Sequence, residues 1–320
     1  MARCSNHTWF HNYHKLMSIL VYKPDSDSLS STQESLSCPS TSSVPGLSIA
    51  RLSPYEQCHV LSLLSADSLT NVIMAGFIND NSFTSPRNRG DFYACRNEAG
   101  ELEGVALIGH TVLLNAQTSN AIKAFAAVAR RKSSKNLVMA ERSVAEEFWK
   151  YYAGDKEQPR VVCPILFLRA PILACNVSED FRLRPATAED LELLTDAHAQ
   201  MVQETSKVNP LEKDPNGFRE RYLRRIEKNR VWVLIRDGKL IFKADVLAEL
   251  ADATYVEGVY VSPEQRGRGV GRQCMLALGQ ALKDRTKAIY LFVENQQTGS
   301  IAFYSNLGFE VGGQYELRYF

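Results

Sequence analysis

Three glycines at alternate positions lie between a strand-like segment and a long helical segment near residue 270. The apolar run Tyr255–Val261 predicts a strand, and Gly269–Arg285 predicts a long helix. Glycine lets the backbone close tightly around a ligand, and the N–H groups at the start of a helix bind anions. The loop therefore predicts an anion site suited to a pyrophosphate. Its glycines and basic residues are Arg266, Gly267, Arg268, Gly269, Gly271 and Arg272.

Other glycine-rich loops fit this spacing less well. The dinucleotide fingerprint G-x-G-x-x-G needs a wider interval between its second and third glycines than Gly269 and Gly271 provide. The P-loop pattern requires Gly-Lys followed by Ser or Thr, which the loop lacks. A purely structural glycine loop would not need flanking arginines. These comparisons leave a phosphate-binding loop of another type.

The loop resembles motif A of the GNAT N-acetyltransferase superfamily, Arg/Gln-x-x-Gly-x-Gly/Ala, at Arg266, Gly269 and Gly271. Two further regions agree with that family in the correct order. Residues 183–191 are similar to its first strand and helix, and residues 291–309 to its closing strand, its tyrosine-bearing helix and the Gly-Phe that follows. The resemblance covers about 180 to 320 and implies a GNAT fold there, which is α/β with a mixed sheet.

The resemblance implies acetyl-CoA or another acyl-CoA as the acyl donor, and no metal is expected. The pyrophosphate would bind the loop backbone, and the pantetheine arm would lie beside the end of the preceding strand. An amide near the last helix would contact the arm, and either Asn295 or Gln297 occupies that place. The residues implied for the donor are Val259, Tyr260, Val261, Arg266, Gly267, Arg268, Gly269, Val270, Gly271, Arg272, Asn295 and Gln297.

Two residues are candidates for proton transfer. Tyr304 falls where the family places its general acid, and a phenol is protonated at neutral pH. Glu257 shares a strand face with Val259 and Val261 and could take the proton of the incoming ammonium. It could equally be a cross-strand partner of Lys243, and Asp245 on the neighbouring strand is a second candidate base.

Composition divides the chain into a tail and two domains. Residues 1–46 are interpreted as a disordered Ser-rich tail, because the Ser-rich stretch from Pro24 to Ser48 is too poor in apolar side chains to offset its ordering entropy. Within this tail, residues 7–22 could form a short amphipathic helix. Residues 47–177 predict an α/β domain and residues 178–320 the GNAT domain. The domain at 47–177 looks like the poorly characterised domain that precedes the GNAT domain in some acetyltransferases. It could be a degenerate GNAT copy, and it lacks motif A.

Charge and cysteine content exclude several partners. Lys+Arg 37 against Asp+Glu 36 leaves a net charge of +1, which predicts neither nucleic-acid nor membrane-surface binding. The apolar stretch Val161–Cys175 is interrupted by prolines and an arginine, so no membrane span is expected. Seven irregularly spaced cysteines favour reduced thiols and a cytoplasmic location. The spacing of Cys4, His7, His11 and His14 is interpreted as incidental rather than as a metal site.

The predicted function is an acyl-CoA-dependent N-acyltransferase that moves acetyl to a primary amine, on a small molecule or a protein. The alternative is a non-catalytic CoA-binding regulatory or scaffold protein, and a third hypothesis is a tandem GNAT pair acting on one substrate. Several arginines crowd the second helix of the C-terminal domain, around residues 219–230. They suit either an acidic acceptor or a solvated helix face, and we favour the solvated face. The oligomeric state is not predicted.

Overall fold

The computed structural model describes residues 45–64, 68–132, 135–154, 157–172, 177–206 and 208–320. Of the predicted tail, only residues 45 and 46 fall within these ranges. Cys4, His7, His11 and His14, whose spacing was considered for a metal site, lie outside them. The strands are β1 (Ser48–Arg51), β2 (Gly90–Arg96), β3 (Leu102–Gly109), β4 (Thr111–Ala116), β5 (Leu137–Glu141), β6 (Val161–Pro171), β7 (Arg184–Pro185), β8 (Val231–Arg236), β9 (Lys239–Glu249), β10 (Thr254–Val261), β11 (Ala288–Glu294) and β12 (Glu310–Tyr319). The α-helices are α1 (Gln57–Leu63), α2 (Leu69–Asn81), α3 (Ser119–Arg130), α4 (Arg142–Ala153), α5 (Leu191–Ser206), α6 (Pro210–Lys213), α7 (Pro215–Glu227), α8 (Val270–Leu282) and α9 (Thr298–Ser305).

The chain forms two compact units, and neither is continuous in sequence. Among the described residues, unit 1 lies within Ile172–Leu247 and Val256–Arg285. Unit 2 lies within Glu34–Pro171, Ala248–Tyr255 and Thr286–Phe320. The predicted domain boundary between residues 177 and 178 refers to the sequence, not to these compact units, and it stays a prediction.

Unit 1 is built on the strands β7, β8 and β9 and the second part of β10, neighbouring one another in that order. β8 and β9 are antiparallel, with Val233 opposite Lys243. The turn between them has φ of 49° at Asp237 and 70° at Gly238. The Asp-Gly pair predicts a hairpin from the sequence, and positive φ at both central residues is the geometry that matches the twist of a two-residue hairpin, so this prediction is confirmed.

Helices α5 and α7 bury one face of the unit 1 strands. The spacing of Phe218, Tyr222 and Ile226 predicts an apolar stripe on α7, and all three side chains are buried. Tyr222 and Ile226 pack in one cluster with Leu194 of α5 and Val231 of β8. This packing places α7 directly over the middle of the strands that precede the glycine loop.

Unit 2 contains a mixed sheet in the order β1-β2-β3-β4-β5-β12-β6-β11. The strand-like runs 91–95 and 102–109, joined by a turn that contains Gly100, predict a strand pair in the sequence. The structure confirms it as the antiparallel pair β2 and β3. β4 and β5 are parallel, which requires a crossover, and α3 supplies it. Phe125 of α3 and Phe148 and Trp149 of α4 fill the core against these strands. The mixed sheets and covering helices confirm the predicted α/β class.

The last strands of the two sequence halves are exchanged within unit 2. β12 lies between β5 and β6, with Tyr315 opposite Glu141 on one side and Ile165 on the other. β6 in turn lies between β12 and β11, and Ile165 is opposite Glu294. β12 of the C-terminal half therefore pairs with β5 of the N-terminal half, and β6 of the N-terminal half pairs with β11 of the C-terminal half. Sequence periodicity reports only which residues form strands, so it did not predict this exchange.

Candidate functional site

The predicted anion loop is open and ready to bind through its backbone. Gly267 and Gly269 have φ of 72° and 77°, and no atom lies within 4 Å of the position that a Cβ would take on either. Gly269 is the N-cap of α8, and no side chain caps this helix. The first N–H groups of a helix have no acceptor within the helix. Those of Val270, Gly271 and Arg272 are therefore available to a ligand.

The arginines of the loop surround it with exposed positive charge. The Arg266 Nε donates a hydrogen bond to the Val261 carbonyl oxygen at 3.1 Å, which ties the loop to the end of β10. Arg268 and Arg272 are exposed, and neither makes an ion pair with any residue that the structure describes. This cradle of N–H groups and guanidinium groups fits a pyrophosphate in charge and in space.

The end of β10 becomes more accessible just before the loop. Residues 254–258 are buried, whereas Val259, Tyr260 and Val261 are only partly buried. Burial raises the pKa of the Tyr260 hydroxyl, and its side chain packs against the apolar cluster under α5 and α7. The three residues predicted to face the donor arm thus lie where the strand emerges from the core.

Glu257 belongs to a buried charge cluster formed by Tyr222, Arg225, Lys243, Asp245 and Glu257. Glu257 is 6% exposed, and its Oε1 lies 2.9 Å from the Arg225 Nη1. Burial raises the pKa of Glu257, although Arg225 opposes the shift. Lys243, the other partner considered for Glu257, instead donates to Asp245 Oδ2 at 2.9 Å. The ion pair with Arg225 holds the Glu257 carboxylate inside the unit, and its role as a base stays a prediction.

The cluster is balanced in charge, and hydrogen bonds within unit 1 join Tyr222, Lys243 and Asp245. Lys243 and Asp245 are both 0% exposed, and the Tyr222 hydroxyl donates to Asp245 Oδ1 at 3.0 Å. Burial lowers the pKa of Lys243 and raises that of Tyr222 well above its usual range. Two cations face two carboxylates, so the cluster offers no net charge to an acceptor. Buried ionisable groups of this kind are common at functional sites.

Tyr304 lies on α9 in unit 2. It is partly buried, with its ring 5.0 Å from that of Phe303 and 5.4 Å from that of Phe309. Burial raises the pKa of its hydroxyl, so the phenol keeps its proton at neutral pH. Asn295 and Gln297 lie in the turn before α9, where Asn295 is exposed and the Gln297 side-chain oxygen accepts from Ser300 at 3.3 Å.

Glu294 is a candidate that sequence reasoning missed. It is the last residue of β11 and is partly buried, and burial raises its pKa to about 7. Within the described ranges, no cation pairs with it. Ligands in α/β folds gather at the carboxyl ends of strands. Its position directly after the apolar run 288–293 could have identified Glu294 as a candidate from the sequence.

The corresponding helix start in the N-terminal half is closed. α3 follows β4 as α8 follows β10, but Thr118 caps it, with Oγ1 accepting from the Ala121 N–H at 3.2 Å. The same hydroxyl donates to the Glu103 carboxylate at 2.9 Å. An internal cap and a neighbouring negative charge disfavour a pyrophosphate at this place.

The arginines of α7 are paired with carboxylates. Arg219 binds Glu192 at 3.0 Å, and Arg221 binds Asp214 at 3.0 Å. Arg224 binds Glu220 at 2.6 Å along the helix. The exposed pairs of Arg219 and Arg224 support the solvated-face interpretation, whereas Arg221 and Arg225 of the same helix are largely buried.

The residues that the structure describes offer neither a metal site nor a membrane span. Among them, no group of three or more His, Cys, Asp or Glu side chains is placed to hold a metal ion. No helix within the same ranges has both the length and the apolar character to cross a membrane.

A family model and several solved structures match the chain. Residues 198–309 match the model of the acetyltransferase (GNAT) family. A tandem GNAT protein from the clavulanic acid biosynthesis pathway is 14% identical and covers 85% of this chain and 98% of its own, with a TM-score of 0.55. A GNAT-family acetyltransferase from Colwellia psychrerythraea is 11% identical over 85% of this chain and 99% of its own, with a TM-score of 0.51. A Drosophila protein is 9% identical over 85% and 98% of the two chains, with a TM-score of 0.60. No curated protein matched in sequence.

These matches agree with the mixed α/β fold described above. Sequence identities this low show the fold alone. The structural similarity to the tandem GNAT protein extends over 85% of this chain. The motif-bearing residues Arg266, Gly269 and Gly271 fall inside the segment that matches the family model. Residues 198–309 therefore form a domain that matches the acetyltransferase (GNAT) family.

Proposed function

We propose that this protein transfers an acetyl group from acetyl-CoA to a primary amine. The observation that carries the proposal is the open glycine loop, in which Gly267 and Gly269 leave space where side chains would otherwise stand. The uncapped start of α8 and the exposed Arg268 and Arg272 support binding of the donor pyrophosphate. The residues present thus fit the donor that the family implies.

In the proposed reaction, the backbone of Val259–Val261 lies beside the pantetheine arm. A backbone N–H there donates to the thioester carbonyl oxygen and stabilises the negative charge that develops as the amine nitrogen attacks. The C–N bond forms and the C–S bond breaks. Because this backbone N–H is held in a strand, the protein does not have to reorganise when negative charge develops on the carbonyl oxygen.

Two protons move in this scheme. Tyr304, whose pKa burial raises, gives its proton to the leaving CoA thiolate. The attacking nitrogen loses a proton to a carboxylate, for which Glu294 and Glu257 are the candidates. Glu294 has a pKa of about 7 and so is poised between its two forms at neutral pH, whereas Glu257 would first have to leave Arg225.

We further propose that one donor molecule binds per chain. This proposal rests on the two helix starts: Gly269 leaves α8 uncapped, whereas Thr118 caps α3 and holds the Glu103 carboxylate nearby. The N-terminal half then serves as a structural or acceptor-recognition element rather than a second site.

The test is calorimetric titration of CoA into the full chain, followed by a screen of acetyl-CoA consumption with amines and peptides. Gly269→Ala should weaken CoA binding at least tenfold, because a Cβ would occupy the cradle. Gly100→Ala is the matched control, since Gly100 also has a positive φ, 82°, and open space around it but lies in a turn of unit 2. It should leave CoA affinity unchanged.

Each outcome decides between hypotheses. Absence of CoA binding by the wild-type protein would refute the proposal. Binding with a stoichiometry of one and transfer to an amine would support it. Binding without transfer to any acceptor would favour the regulatory or scaffold alternative, and a stoichiometry of two would contradict the assignment of a single site.

A further inference from the structure

Gly258 interrupts β10 immediately before the residues that present the backbone to the donor. Its φ is 59°, a left-handed conformation in the middle of a strand. A residue of this kind bends a strand and re-aims the residues after it. The change from buried residues at 254–258 to partly buried residues at 259–261 begins at this point.

The buried charge cluster holds this bend from one side. The Lys243 Nζ donates to the Gly258 carbonyl oxygen at 2.9 Å and to both carboxylate oxygens of Asp245, at 3.0 and 2.9 Å. These three acceptors use all the N–H groups of the ammonium. Lys243 is therefore fully engaged and fixed in one position.

The space at Gly258 is also defined by these two side chains. A Cβ added there would lie 2.7 Å from the Asp245 Oδ2 and 3.0 Å from the Lys243 Nζ. The ion pair thus packs directly against the α-carbon of the bent residue. Arg225 anchors the far side of the cluster to Glu257, the residue just before the bend, at 2.9 Å.

We propose that Lys243 is a positioning residue that fixes the bend at Gly258 and thereby aims the Val259–Val261 backbone at the thioester. This inference rests on the proposed function. Lys243 does not touch the donor in this scheme. It sets the direction of the N–H that does, and Asp245 keeps its ammonium in place. A buried lysine, costly in an apolar core, thus acquires a role in the reaction.

The test uses the full chain with Lys243→Met and Asp245→Asn made together, so that the cluster stays neutral with Arg225 and Glu257. The control is Lys287→Met with Asp252→Asn, which removes a Lys–Asp pair of 2.7 Å at the surface. The cluster variant should lower kcat at least tenfold while the Kd for CoA stays within threefold. Hydrogen exchange of residues 256–262 should become faster. The control should change none of these.

The results separate this inference from the proposed function. An unchanged kcat in the folded cluster variant, or parallel losses in kcat and CoA affinity, would overturn the positioning role. If the wild-type protein neither binds CoA nor transfers acetyl, the proposed function fails. Hydrogen exchange would still test whether Lys243 fixes the bend. If exchange at residues 256–262 were the same in the cluster variant and the wild-type protein, this structural role of Lys243 would be overturned.

Discussion

Replacing Gly258 by alanine tests whether the bend in β10 is specified by the buried charge cluster. Two costs follow from the structure. At a φ of 59°, an L-residue is disfavoured by about 1–2 kcal/mol. Its Cβ would also lie 2.7 Å from the Asp245 Oδ2 in a fully buried site, and overpacking of this kind costs about 1–3 kcal/mol. We therefore expect Gly258→Ala to lower the free energy of unfolding by about 2–5 kcal/mol.

The assay is urea unfolding followed by circular dichroism, with Gly100→Ala as the reference. Gly100 has a φ of 82° and no atom within 4 Å of its Cβ position, so it reports the backbone cost without the contact. That variant should lose about 1–2 kcal/mol. Equal losses in the two variants would refute the idea that Lys243 and Asp245 exclude a side chain at residue 258.

Two further predictions concern ionisable groups of unit 2. Burial raises the pKa of Glu294 from 4.5 to about 7, so the native state binds more protons and stability should fall as pH rises from about 4.5 to about 7. Such a shift corresponds to about 3 kcal/mol of unfolding free energy, and solvent screening reduces this to about 1–2 kcal/mol because the side chain is only partly buried. Glu294→Gln should therefore flatten the pH dependence of the urea midpoint, and an unaltered pH profile would contradict this prediction. Tyr304→Phe should lower kcat at least tenfold with CoA affinity nearly intact in steady-state and calorimetric measurements, whereas equal loss of both would give Tyr304 a structural role. Tyr55→Phe, which removes the hydroxyl of a tyrosine that is 99% exposed in unit 2, is its control and should leave kcat unchanged.

Features encoded by neighbouring residues were predictable from the sequence. The glycine loop, the hairpin at Asp237 and Gly238, and the apolar stripe of α7 each depend on a few consecutive positions or on one helical period. A positive φ selects glycine directly, so the pattern in the sequence reports the backbone conformation.

Features that depend on contacts between distant residues were not predictable in this way. Strand alternation placed Glu257 near Lys243, yet it could not show that Arg225 reaches across from α7 to take the carboxylate. The raised pKa of Glu294 comes from burial by elements far away in sequence. Exchange of β6 and β12 likewise changes which strands are neighbours without changing the local pattern of either strand.

The position of β12 between β5 and β6 has a consequence for synthesis. During translation, β5 and β6 leave the ribosome well before Glu310–Tyr319, the segment that pairs with both. Until that segment emerges, two strands expose unpaired edges, which favour aggregation. The N-terminal half is therefore a dependent folding partner that reaches its final structure late. A frameshift near the 3′ end of the coding sequence would damage the earliest part of the protein as well as the last.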